Sequence, residues 1–196
     1  MSAKRKLLII DCETGGLDPA NTSILSIAAV VWNQGAIEDQ FYTLVAEPTI
    51  IANASALKVN KLTVERVQAE GMSPSNTFDA IRMMMMKHDM RGAVTLAGHN
   101  VAFDVGYLKR LMRLAGILDK NYGEYFSYRS LCTITGALLL EQAGRIELPG
   151  GSASLDSLVK LWNITLSREG GHNALNDALA TAKVLNRELE LMGGLR

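Results

Sequence analysis

The sequence predicts a mixed α/β fold, one sheet that is part antiparallel meander and part parallel, with helices packed on it. Three observations point there. The first 45 residues hold three apolar runs separated by turn signals. The remainder alternates short strand-like runs with longer helical patterns. No internal repeat and no linker divides the 196 residues, so 1–196 reads as a single domain, long enough to bury a substantial core at 48% hydrophobic content.

The elements follow in order. Leu7-Leu8-Ile9-Ile10 is a continuous apolar run ending at Asp11, followed by Gly15-Gly16 and Asp18-Pro19, which predicts a buried strand stopping at a turn. Ile24 to Trp32 is a second strand, and Asn33-Gln34-Gly35 turns it back into a third, Ile37 to Val45. Thr63 to Glu70 and Ser75 to His88 carry helix formers, with Ser73-Pro74 marking a start. Ala93 to Ala97 reads as a strand, Val101 to Ala115 as a helix, Tyr128 to Thr133 as a strand and Ile134 to Ala143 as a helix. Leu148 to Ser152 is a loop, Leu155 to Trp162 a short helix and Ala174 to Met192 a long one. The run Met83 to Met86 is read as core filling.

Charge sets a limit on partners. Twenty Lys plus Arg balance twenty Asp plus Glu, so no global basic field exists and any grip on nucleic acid must be local. Cys12 and Cys132 lie in no C-x-x-C spacing, which points away from a zinc site or a disulfide framework. Lys4-Arg5-Lys6 precede too short an apolar run for a signal peptide, and no stretch approaches the roughly 18 apolar residues of a membrane span. A soluble, cytoplasmic protein is expected.

The acids carry the chemistry. Asp11 and Glu13 end the first strand two residues apart, so both project to one side while Cys12 points away. Paired anions raise each other's pKa unless a cation neutralises them, and hard ions such as Mg²⁺ or Mn²⁺ prefer oxygen ligands. A solvated turn capped by acids is the plainer reading of that pair. Asp104 shares a helical stripe with Leu108 and Leu111, where a charge needs a partner, a metal or a capping role. Asp177 lies at the flank of the last helix's apolar face. His172, five residues earlier, converges with it if the histidine sits in a loop and Asn173 is the N-cap. Gly170 and Gly171 would let that loop move.

Asp11-Cys12-Glu13-Thr14-Gly15-Gly16-Leu17, His99-Asn100-Val101-Ala102-Phe103-Asp104 and His172-Asn173-Ala174-Leu175-Asn176-Asp177-Ala178 occur in that order. They resemble the three exonuclease motifs of the DEDDh family, which includes the proofreading epsilon subunit of bacterial replicative polymerase and ribonuclease T-like enzymes. The resemblance covers residues 6 to 191. It implies a ribonuclease H-like fold and hydrolysis of phosphodiester bonds from a 3′ end, releasing nucleoside 5′-monophosphates. Asp11, Glu13, Asp104 and Asp177 would hold two divalent metals, Mg²⁺ or Mn²⁺, with His172 as general base. Activity should then fall in acid. Thr14, Gly15, Gly16 and Leu17 would contact the terminal nucleotide, with Phe103 packing against the last base and Asn60, His99 and Asn100 near the substrate.

Two departures stand out: Gly15 replaces the second Thr of the family's D-x-E-T-T-G, and Asn60-Lys61 stands where many relatives have His-Gly. None of the five catalytic positions is lost. The motifs favour single-stranded DNA over RNA, with an exoribonuclease as the alternative and a non-catalytic binding subunit as the reading from another class. Lys109, Arg110 and Arg113 could guide a strand, and the aromatic-rich stretch 122–129 could stack bases or bury a subunit contact. A homodimer or a polymerase complex is possible from the resemblance.

Overall fold

Strand β1 (Leu7–Thr14) is apolar on both sides through Ile10 because it lies at the centre of the sheet and both its faces are covered. The computed structural model describes residues 5–167 and 171–194. β2 (Ile24–Asn33) and β3 (Ala36–Leu44) complete the antiparallel meander, with Leu8 opposite Val31 and Ala28 opposite Tyr42. β4 (Val94–Gly98) and β5 (Phe126–Cys132) add on the other side of β1, both parallel, giving the order β3-β2-β1-β4-β5.

The helices are α1 (Ala54–Asn60), α2 (Val64–Glu70), α3 (Pro74–Lys87), α4 (Val101–Leu114), α5 (Tyr122–Tyr125), α6 (Thr133–Gln142), α7 (Leu155–Leu161) and α8 (Ala174–Leu191). Helices α3 and α4 cover one face of the sheet. There Leu8, Ile10 and Cys12 of β1 meet Phe78 and Ile81 of α3 and Leu108 and Leu111 of α4. Helix α8 covers the other, where Leu7 and Ile9 meet Ala174, Ala178 and Ala182. Alanines at that spacing let α8 lie close to the strands.

The meander, the alternation after it and most boundaries match the sequence reading. Helix α1 and the single turn α5 were not anticipated: α1 has no apolar stripe, with Asn60 its one buried residue, and α5 is too short for any periodicity to register. The methionine run is a correction. Met84 and Met85 are buried, but Met83 and Met86 are 66% and 63% exposed, since four consecutive residues of a helix cannot all face one side. Among the described residues, no helix is long and apolar enough to cross a membrane.

Candidate active site

The alternation of β1 decides where its acids go. Asp11 and Glu13 share the parity of Leu7 and Ile9, so they project on the α8 face just beyond the apolar part of the strand. Asp104 arrives from the opposite face, on the first turn of α4. It is 3% exposed, and its Oδ1 accepts the Cys12 backbone N–H at 2.9 Å, between the two β1 acids. Burial drives the Asp104 carboxyl well above its usual range; the Cys12 hydrogen bond opposes this and the Glu13 charge adds to it. The Cys12 thiol is pushed up by burial and then by the charges of Asp104, Asp11 and Glu13. Burial and the crowding of carboxylates thus both disfavour further negative charge at this strand end.

Helix α8 delivers the third segment. Asn173 is its N-cap, with Oδ1 accepting from the Leu175 and Asn176 N–H groups at 3.1 and 3.2 Å, as the sequence predicts. This leaves His172 outside the helix, where its Nδ1 lies 3.3 Å from Asp177 Oδ2. Its backbone N–H donates to the Val59 carbonyl at 3.3 Å, which ties the loop to the end of α1. Gly171, at φ 96°, is the residue type this approach requires, because a Cβ there would meet that carbonyl at 2.9 Å. Gly170, the other glycine of the expected mobile pair, lies outside the described residues.

Glu13, His172 and Asp177 each offer a ligand atom within 4.8 Å of the others, so three sequence-distant residues form one potential metal-binding group. Two of them are carboxylates and the buried Asp104 carboxyl stands beside Glu13, a donor set that suits a hard divalent cation. The residues present therefore fit the metals that the motifs imply.

Beside this group runs a cleft of about 370 Å³ lined by Glu13, Thr14, Gly16, Leu17, Asn53 and Val59, among others. Leu17 stands on its lip, 87% exposed. The turn that presents it is held from inside: the Gly16 carbonyl accepts the Thr14 hydroxyl at 2.7 Å and the Tyr107 hydroxyl at 2.8 Å. The Gly15 departure has a steric reason, since a side chain there would run into the Ile51 carbonyl and come within 2.9 Å of Ala52 Cβ. Asn60 is buried, and its Nδ2 donates to the Thr14 carbonyl at 3.3 Å, so it fastens α1 to the end of β1 while lining the cleft.

The middle motif is split in role. Phe103 is half-buried against Tyr107, ring centroids 5.1 Å apart. His99 Nδ1 pairs with Thr133 Oγ1 at 2.8 Å, and burial holds its imidazole down at about 4, so it is neutral at physiological pH. Asn100 opens α4 in the left-handed region at φ 61°, its side chain exposed. Sequence reasoning missed Tyr107 and the buried Glu47, whose carboxylate takes Arg110 Nε at 2.8 Å and Nη2 at 2.7 Å and also the Ile24 N–H. Tyr107 was visible as a polar-tipped residue on the Asp104 stripe; Glu47 had no local signal.

This sheet order, with acids from three separated segments gathered at the end of its central strand, defines a ribonuclease H-like nuclease fold. The family model described as exonuclease, RNase T, matches residues 8–185, and the chain belongs to that family. It is 27% identical over 185 residues to the PolC-type DNA polymerase III of Clostridium perfringens, covering 94% of this chain and 11% of that one. To ribonuclease T of Marinobacter nauticus it is 27% identical over 204 residues, covering 95% of this chain and 85% of that one. Among solved structures it is similar to exonuclease I of Methylocaldum szegediense (TM-score 0.80, 18% identity, 98% of this chain and 42% of that one). Exonuclease I of E. coli in complex with a dT13 oligonucleotide is comparable (TM-score 0.78, 17% identity, 97% and 42%). The chain thus spans about a tenth of the PolC-type relatives.

Proposed function

We propose that the chain is a divalent-metal-dependent 3′-5′ exonuclease that hydrolyses single-stranded DNA from its 3′ end and releases nucleoside 5′-monophosphates. The gathering of Glu13, His172 and Asp177 within 4.8 Å, beside buried Asp104 and an open cleft, is the observation that carries the reading. Asp11, Glu13, Asp104 and Asp177 would hold two divalent ions, Mg²⁺ or Mn²⁺, which when bound supply Lewis-acid stabilisation of the attacking and departing oxygens.

The protein's own residues do the rest. With Asp177 ionised, His172 Nδ1 carries the proton that faces it, which leaves Nε2 free to accept one from the attacking water. His172 is 41% exposed on its side chain, open enough to pass that proton to solvent. Leu17 on the cleft lip and half-buried Phe103 would pack against the terminal base, a contact indifferent to sequence. The Gly15–Gly16 turn, held by Thr14 and Tyr107, would bring backbone close to the last nucleotide.

The preference for DNA is supported by the likeness to exonuclease I, whose structures hold dT13 and dA16. A ribonuclease reading is favoured by ribonuclease T of Marinobacter nauticus, a relative of which this chain covers 85%. Association with a polymerase, or pairing with a second copy, is compatible with the same domain. The test is degradation of 3′- and 5′-labelled single-stranded DNA and RNA of matched sequence with Mg²⁺, Mn²⁺ or EDTA, beside Asp11→Ala and His172→Ala. Metal-dependent shortening from the 3′ end, lost in both variants and faster on DNA, is expected. Cleavage of neither polymer in any metal would overturn the reading, and faster loss of RNA would move it to the exoribonuclease.

A further inference from the structure

Helix α4 brings Asp104 to the acids on its first turn and then runs away from them, carrying three cations that the structure sorts. Arg110 is committed to buried Glu47 through two nitrogens, and Arg113 pairs with Asp119 at 3.3 Å. Lys109 has no carboxylate partner among the described residues. Its Nζ stands 4.9 Å above the ring centroid of Tyr122, which is 4% exposed. Lys109 lies about 7.5 Å along the helix axis from Asp104 and about 140° around it, so the two side chains leave α4 on different sides.

Against Tyr122 lies Tyr128, ring centroids 6.2 Å apart, and Tyr128 is 85% exposed. A bulge in β5 puts it there. Val94 is opposite Phe126 but Leu96 is opposite Ser130, so β5 carries extra residues over 127–129 and the ladder breaks. Within the break the Arg129 N–H turns to Ser127 Oγ at 3.0 Å, and the Tyr128 hydroxyl lies over Gly123, where a Cβ would meet it at 3.2 Å. An aromatic face is thereby displayed to solvent on a fixed aromatic base, with Lys109 above that base and exposed Arg129 next in sequence. Of the nearby acids, Asp119 is paired with Arg113, and Glu124 lines a groove with Tyr125, Met86 and Arg82.

We propose that Tyr128 and Lys109 form a second contact for single-stranded DNA, in which a base upstream of the 3′ end stacks on Tyr128 and Lys109 neutralises its phosphate. This rests on the nuclease reading above and extends it from the last nucleotide to the strand behind it. In a chain with no net charge, local contacts of this kind are how a strand can be held. A ring offers every base the same π-face, so the contact tolerates any sequence.

The experiment is equilibrium binding of labelled oligo-dT of 3 and 12 nucleotides to the full chain, in EDTA to prevent cleavage, for the parent, Tyr128→Ala, Tyr128→Phe and Lys109→Gln. The parent is expected to bind the 12-mer more tightly than the 3-mer. Tyr128→Ala should lose about ten-fold of that gain, Tyr128→Phe should keep it, and Lys109→Gln should lower the slope of log K against log salt by about 0.7. Equal affinity of Tyr128→Ala and the parent for the 12-mer would overturn the proposal. So would an equal loss on both lengths, or light scattering showing that Tyr128→Ala converts a dimer to a monomer with strand binding intact. A parent that binds neither oligomer would instead count against the nuclease reading itself.

Discussion

Helix α8 carries two buried carboxylates on one stripe, Asp177 at its head and Glu188 near its tail, about three turns or roughly 16 Å apart. They are 5% and 2% exposed, so burial does not tell them apart. Their neighbours do. Asp177 sits in the first turn, where the helix dipole favours an anion, and meets His172 and Glu13. Glu188 sits in the last turn, where the dipole opposes an anion, against Gly136 of α6, and its Oε1 finds no hydrogen-bond partner among the described residues. Burial, and then the neighbouring Cys132, push the Glu188 carboxyl up to about 8. On the proposed reading one acid holds a cation, while burial favours the protonated form of the other.

The sharpest way to break this contrast is activity. Asp177→Asn should cost at least about a thousand-fold in the exonuclease assay, while Glu188→Gln should change the rate by less than about two-fold. Comparable losses in both would erase the distinction. Stability should run the other way. A carboxyl raised in the fold contributes fully below its unfolded value near 4.5 and loses that contribution as pH climbs toward 8. The Glu188 contribution to unfolding free energy should therefore fall across that window by up to about 1.4 kcal/mol per pH unit. Denaturant titrations of Glu188→Gln should show this slope removed, leaving the variant more stable than the parent at pH 8.

Metal should then discriminate the two ends thermodynamically. Mg²⁺ or Mn²⁺ at about a hundred times its dissociation constant should stabilise the parent by roughly 2.7 kcal/mol, visible as a higher melting temperature. Glu188→Gln should keep that increment and Asp177→Asn should lose it, whereas an equal shift in both variants would mean the ions bind elsewhere. The smallest effect concerns the seat of Glu188. A methyl at Gly136 would collide with its carboxylate, so Gly136→Ala should cost about 1–2 kcal/mol, and the cost should shrink when combined with Glu188→Ala. Strict additivity would show that the two residues do not press on each other.

How much of this was legible follows the range of each interaction. Asp11, Glu13 and the Asn173 cap are set by local periodicity and could be read directly. So could the place of Asp104 on the α4 stripe. The Cys12–Asp104 hydrogen bond, the Tyr107–Gly16 clasp and the Arg110–Glu47 pair each join residues more than sixty positions apart. No local pattern encodes such partners. Glu188 was visible on the α8 stripe with Thr181 and Leu185, but its chemistry depends on Gly136 across the helix interface. Gly15 could be read only as a departure from a motif; its reason is a close approach to residues 51–52. The Met83–Met86 reading failed through geometry that the sequence did contain, the 100° step between successive helical residues.

The acids of the site are drawn from β1 near the beginning of the sequence and from α8 near residue 177, with Asp104 between them. A chain growing at about 5–20 residues per second needs roughly ten to thirty seconds to pass from the first of these residues to the last. Through that interval the meander and α4 can form, but Glu13 has neither His172 nor Asp177 beside it. On the proposed reading the cutting edge does not exist until α8 docks against β1 and brings His172 and Asp177 to Glu13.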